Sequence, residues 1–332
     1  MKNIYPLIMA AIMAVCLAGC NSVSVTDITS ETLVHTTVTV VGAPVTRATG
    51  VTSAEEENIA NLQILVFDES GALEHYLDAG SSATGDIVTK EGRKTVTAII
   101  NAPSLQDVAT KNALMTKTSL LADNSRGSMV MTGEVEAVLQ DGGKLNIPVT
   151  RIISKVMIKK ITSAFPSTST YASKPFRINS IYLINVAGDN TYAASSEPTI
   201  WYNKLANGQN DPGCRTFPLL ADPVNENIAY KASYTKEHSF YCYPNLISDE
   251  SFESTWSPRH TMLVVDAMLG GVQTYYPIEL PVIGRNKCII IEELVITKKG
   301  SDYPYIPVRD GSCDATVIVT PWDTILDYTE TI

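Results

Sequence analysis

The sequence predicts a mainly β protein made of two β-sandwich-like units in tandem, with a few short helices in the first unit. Three observations lead there. Short apolar runs rich in Val, Ile and Thr recur along the chain between Gly, Pro, Asn and Asp turns. Helical periodicity is confined to a few short stretches near the middle of the first half. The 285 residues that follow position 47 exceed one ordinary core and suit two units of roughly 130–160 residues.

The elements follow in order. Lys2, the apolar run from Tyr5 to Leu17 and the small residues before Cys20 make residues 1–19 a secretory signal of lipoprotein type, with Cys20 as the lipid attachment site. Leu33 to Val41 is a β-branched run with Val34, Val38 and Val40 on one face, broken by Gly42, Pro44 and Arg47. Ser53 to Glu56 has the form of a capping box before a short helix that ends near Asn61, with Glu55, Glu56 and Glu57 complementing its dipole. Leu62 to Phe67 is a dense apolar strand, Asp68 to Gly71 a turn, and Ala72 to Leu77 the return. Thr95 to Asn101 is a further strand, and residues 104–122 suit two short helices. Val130 to Leu139 and Lys144 to Val149 read as a hairpin around Asp141, Gly142 and Gly143. Ile152 to Ile161 reads as the last strand of the first unit, and the polar stretch from Pro166 to Pro175 as the boundary.

Beyond it, strands are expected at Arg177–Val186, Ser239–Tyr243, Met262–Met268, Thr274–Leu280, Cys288–Lys298 and Thr316–Thr320. Ala187 to Ala232 reads as a long polar surface loop. Trp322 is expected as a core tryptophan closing the last strand. The divisions are 1–19 signal, a leading segment 20–47 (a propeptide only on the family resemblance given below), 48–165 first β-unit and 166–332 second β-unit.

Composition narrows function. With 35 acidic against 25 basic residues the net charge is −10, and no basic cluster stands out, which argues against nucleic-acid binding. There is no CxxC pair, and His occurs only at 35, 75, 238 and 260, so metal-ligand spacing is absent. No nucleophile elbow, HExxH helix or phosphate-binding Gly loop occurs, so neither catalysis nor a cofactor is expected. Beyond Cys16 and Cys20, the remaining cysteines are Cys214, Cys242, Cys288 and Cys313. In an exported protein they permit three disulfide connectivities, or serve as small buried apolar groups.

An ordered set of short motifs runs through nearly the whole chain. It begins at Thr46-Arg47-Ala48 and Glu57 to Gln63, followed by Val66-Phe67-Asp68 and Gly71. It continues at Asn101-Ala102-Pro103, Met131-Thr132-Gly133 and the Arg151 to Ile158 run. In the second half it comprises Tyr243-Pro244-Asn245, Tyr275 to Ile278, Gly284 to Lys287, Ile296 to Gly300 and Val317 to Trp322. In this set the chain resembles the Bacteroidales major-fimbrial-subunit (fimbrillin) family, the subunits of type V pili.

The resemblance implies transthyretin-like sandwiches, export as an outer-membrane lipoprotein through Cys20, and a cut between Arg47 and Ala48 by an arginine-specific protease. The cut would remove the strand bearing Val34, Val38 and Val40. A neighbouring subunit's tail, here Leu326, Tyr328 and Ile332, would then fill the groove by donor-strand exchange. The implied partners are other pilus subunits, the protease and a host or bacterial surface ligand, and the implied output is cell adhesion from a surface fimbrium. Two alternatives keep the lipid: the pilus anchor, and a surface glycan-binding lipoprotein that does not polymerise.

Overall fold

The computed structural model describes residues 32–42, 54–206, 209–210, 217–248, 256–307 and 313–322. The first half contains β1 (Leu33–Gly42), β2 (Leu62–Phe67), β3 (Leu73–Asp78), β4 (Thr84–Lys90) and β5 (Gly92–Ile100). They are followed by α1 (Lys111–Thr116), β6 (Thr118–Leu120), β7 (Met131–Leu139), β8 (Gly143–Arg151), β9 (Ser154–Ile158), β10 (Ile161–Ser163) and β11 (Phe176–Ile184). Later strands are named by their residues.

Seven strands form the first sheet in the order β3-β2-β5-β7-β8-β1-β4. The run Leu62–Phe67 is buried on both faces, and its alternation sends the two sets of side chains into different cores. Leu62, Ile64 and Val66 join Val96, Ala98 and Ile100 of β5 in a core that also holds the β1 valines. Leu65, Phe67 and Ile99 point the other way, into a larger core shared with the second half. The sheet rolls until its two ends meet. Gly85 of β4 sits so close to β3 that a Cβ there would lie 2.7 Å from Leu77 Cδ2 and 2.8 Å from Ile64 Cδ1.

The second half supplies two more sheets. One runs Ser233–Tyr234, β10, Lys287–Ile296, β9, His238–Cys242, with Cys313–Pro321 also paired to Lys287–Ile296. The other runs Ala221–Ile228, β11, Met262–Leu269, Val272–Glu279. The mainly β architecture and the strands expected in the second half are all present.

Several elements differ from the sequence reading. β9 and β10, expected to close the first unit, instead lie in the sheet of the second half, with β9 between His238–Cys242 and Lys287–Ile296. A fully buried five-residue strand needs neighbours on both sides, and sequence distance does not say which. The 187–232 segment is no plain surface loop: Asp189–Thr191 pairs with β6, Asp189 and Asn190 are buried, and Ala221–Ile228 is a full strand. Ala54–Glu57 forms one 3-10 turn, and Glu56 is buried rather than lying on a helix surface. The stretch expected to hold two helices has α1 and a 3-10 turn at Leu121–Asp123.

Cys242 and Cys288 are buried free thiols. Cys242 stands opposite Ser154 on one side of β9, and Cys288 opposite Lys155 on the other. Two inter-strand spacings, about 10 Å, separate their backbones, beyond the span of a disulfide. Cys214 lies outside the described residues. None of the described helices is long and apolar enough to cross a membrane.

Candidate functional site: a strand wedged into the first sheet

The hairpin expected from β7 and β8 is splayed. The two strands pair antiparallel only at Met131 with Arg151 and Thr132 with Thr150. Along its whole length β7 pairs with β5, from Ile100 opposite Met131 to Gly92 opposite Leu139. β8 pairs with β1 in parallel, from Thr36 opposite Gly143 to Gly42 opposite Val149. Pro148 faces Val41 along this seam and has no N–H to give to a ladder.

The other edge of β1 pairs antiparallel with β4, from Leu33 opposite Lys90 to Thr39 opposite Thr84. β4 closes the sheet and has β1 as its hydrogen-bonded neighbour there. The strand is thus a wedge between two others, and taking it out would leave two unpaired edges. β4 was not foreseen in the sequence. Its signal was the alternation of buried Ile87 and Thr89 with exposed Val88 and Lys90, weak because Gly85 and Asp86 precede it.

Within the wedge, the predicted face is the buried one. Val34, Val38 and Val40 are 1%, 0% and 2% exposed and pack with Ile87, Ile147 and Val149. Thr36 shares this face as its one polar member, with its hydroxyl 3.3 Å from the Gln140 carbonyl. Leu33 at the strand's start is 61% exposed. Three polar contacts pin the ends and rim: His35 N–H to Asp141 Oδ1 at 3.0 Å, Thr37 Oγ1 to Asp86 Oδ1 at 2.7 Å, and Val40 N–H to the Ala83 carbonyl at 3.0 Å.

Arg47 and Ala48 lie outside the described residues, between two fixed points, Gly42 at the end of β1 and Ala54 at the start of the 3-10 turn. The second point is held by a buried polar cluster. Lys155 Nζ lies 2.8 Å from Glu56 Oε1, and the Tyr241 hydroxyl donates to the same carboxylate. The Arg151 guanidinium donates to the Glu56 carbonyl, with Nη2 at 3.0 Å and Nε at 3.3 Å. Its Cζ sits 4.4 Å from the ring centre of Trp322, which is fully buried as expected. Burial, reinforced by the Glu56 charge, drives the Tyr241 phenol well above its ordinary pKa, so it stays a donor. The cluster therefore fastens residue 56, β8, β9 and the last described residue of the chain at one place. Cys20, Leu326, Tyr328 and Ile332 lie outside the described residues. Among those described, no three His, Cys, Asp or Glu side chains are grouped to hold a metal ion.

The chain resembles known proteins both in sequence and in fold. The family model of the major fimbrial subunit protein (FimA) matches residues 35–173, from within β1 to just before β11. Over those residues the chain is similar to the family that the sequence motifs resembled, one of fimbrial subunits.

The likeness of fold extends beyond residues 35–173. A candidate cell adhesion protein from Bacteroides eggerthii superposes with a TM-score of 0.65 at 18% identity, over 88% of this chain and 97% of that one. A fimbrilin from Porphyromonas gingivalis superposes with a TM-score of 0.59 at 13% identity, over 88% and 99%. The tip fimbrial protein Mfa3 of the same organism gives 0.53 at 13% identity, over 88% and 100%. These likenesses carry the fold of both halves. No curated protein matches by sequence.

Proposed function

We propose that the protein is a subunit of a surface fimbrium, stalk or tip, exported as a lipoprotein through Cys20 and used in cell adhesion. On this reading β1 is a temporary occupant of its own sheet. Cleavage between Arg47 and Ala48 by an arginine-specific protease cuts the link between the wedge and the anchored turn. The tail of a neighbouring subunit then replaces β1. The observation that carries this reading is the position of β1, inserted between β8 and β4 with three buried valines.

The energetics are consistent with exchange rather than simple loss. Three valines at about 1.5–3 kcal/mol each correspond to about 4–9 kcal/mol of apolar burial, an upper bound because an unfolded chain already hides some surface. An empty slot would also leave two strand edges without ladder partners, a template for another strand. The donor segment on this reading is Asp323 to Ile332. A tail running opposite to β1 would bring Leu326, Tyr328 and Ile332 to the places of Val40, Val38 and Val34. Glu330 would then meet the place of Thr36, the one polar position on that face. The same direction as β1 would instead set Glu330 at Val38, which is fully buried. The opposite direction is the one this chemistry favours.

The test is the N-terminus of the surface form. A start at Ala48 supports the maturation route, and Arg47→Ala should leave lipidated monomers without fibres. A blocked Cys20 as the sole surface form would overturn it in favour of a lipid-retained anchor or glycan-binding lipoprotein. Fibres formed normally by the Arg47→Ala protein would also count against it.

A further inference from the structure

A second concavity lies away from the β1 core, on the opposite face of the first sheet. Its volume is about 430 Å³, within the size range of small-molecule sites. Strands β5, β7 and β8 form the floor through Thr97, Ile99, Thr132 and Thr150. Met115 of α1, half exposed, stands at one side, and the Tyr192–Ala194 turn at the other. The turn is built by its own polar side chains: Asn190 Oδ1 accepts from Thr191 N–H and Ser196 N–H, each at 3.0 Å.

The charges in this cavity are unevenly matched. Its one carboxylate, Glu134, is already engaged by Lys111 Nζ at 2.8 Å and the Thr97 hydroxyl at 3.0 Å. Arg285 lines the same space and makes contacts only with neutral oxygens among the described residues. Its Nη2 donates to Thr132 Oγ1 at 2.8 Å and the Tyr192 carbonyl at 2.6 Å, and its Nη1 to the Thr191 carbonyl at 3.4 Å. Burial holds its pKa down to about 10, well above neutrality, so the guanidinium stays charged. A guanidinium has five N–H donors in a planar fork, and these contacts use three. What remains is a fixed, partly desolvated cation on an open volume, beside hydroxyls and apolar side chains.

We infer that this cavity binds a small hydroxylated carboxylate, of acidic-monosaccharide size, with its carboxylate paired to Arg285. Charge-assisted pairing to a preorganised arginine gives the site its selectivity for acids. Thr132, Thr150 and the Lys111–Glu134 pair present donors and acceptors to hydroxyl groups, and Met115 covers an apolar ring face. The assignment does not depend on strand exchange and holds for precursor and mature forms alike.

Titration of the purified protein with galacturonate and with galactose, followed by ligand-observed NMR, tests it. The two sugars differ at the carboxylate. Galacturonate should bind saturably and at least about tenfold more tightly than galactose, the usual worth of a charge-assisted hydrogen bond. Arg285→Gln should remove that preference. Ala194→Trp, at an exposed residue whose new side chain would fill the space, should abolish binding while the unfolding midpoint stays that of the parent. Equal binding of the two sugars, no saturable galacturonate binding, or binding unaffected by Ala194→Trp would each overturn the inference. N-acetylleucine is the arm for a peptide-type carboxylate, and exclusive binding of that compound would overturn the acidic-sugar assignment.

Discussion

Val38→Ala gives the sharpest test of how β1 is held. Val38 is fully buried between the β4 and β8 edges, and the substitution removes two carbon atoms from that position. At about 0.8 kcal/mol per buried carbon, with a further contribution from the cavity left behind, the strand loses about 2–3 kcal/mol of its hold. After the chain is nicked at Arg47, β1 is attached only by these contacts. Its release should then be about 30-fold to 140-fold faster in Val38→Ala than in the parent. The assay is direct: nick both proteins with an arginine-specific protease, then follow the N-terminal fragment by size exclusion over time. Leu33→Ala is the control on the same strand, because Leu33 is 61% exposed, and its effect should stay within roughly twofold. Release from Val38→Ala within about threefold of the parent would refute the idea that apolar burial retains the strand.

Two further outcomes concern the framework behind the slot. Glu56→Gln takes the charge from the carboxylate beside Lys155 and should cost about 3–5 kcal/mol in urea unfolding, with much of it recovered in the apolar pair Glu56→Leu/Lys155→Met. A loss below about 1 kcal/mol would mean the cluster does not anchor residue 56. The thiols of Cys242 and Cys288 are both pushed up to about 12 by burial, so iodoacetamide at pH 8 should label neither until the protein unfolds. Because the folded values lie above the unfolded value of 9.0, their contribution to stability is intact below pH 9 and declines as pH rises from 9 toward 12. A Cys242→Ala/Cys288→Ala protein should show a flatter stability profile over that window.

Much of the framework was legible from local pattern. The run Leu62–Phe67 and its return around Asp68–Gly71 read directly as strand, turn and strand, because the turn chemistry is local: Asp68 Oδ1 accepts from the Ser70 and Ala72 N–H groups, each at 2.9 Å. The β1 face was legible for the same reason, since alternation along a strand decides which side chains share a side. The second-half strands followed from β-branched runs between turn residues. Glu56 was misread because three consecutive acids at a helix start look like dipole complements. Only Lys155 and Tyr241, distant by 99 and 185 positions, make the middle one a buried partner.

By itself, then, the sequence determined that the dense β-branched runs are strands, which face of β1 seeks a core and which family residues 35–173 match. These depend on residue-by-residue alternation, turn chemistry and short motifs, all carried within a few positions of the chain. Tertiary structure alone decided the partners. It opened the β7–β8 hairpin, set β1 between β8 and β4, moved β9 into the second half and brought Arg285 onto a cavity floored by β5, β7 and β8. The physical reason is that a strand's two edges carry the same N–H and C=O groups whatever its neighbours. Pairing is settled by which buried faces fit together, a property of the assembled sheet rather than of any one segment.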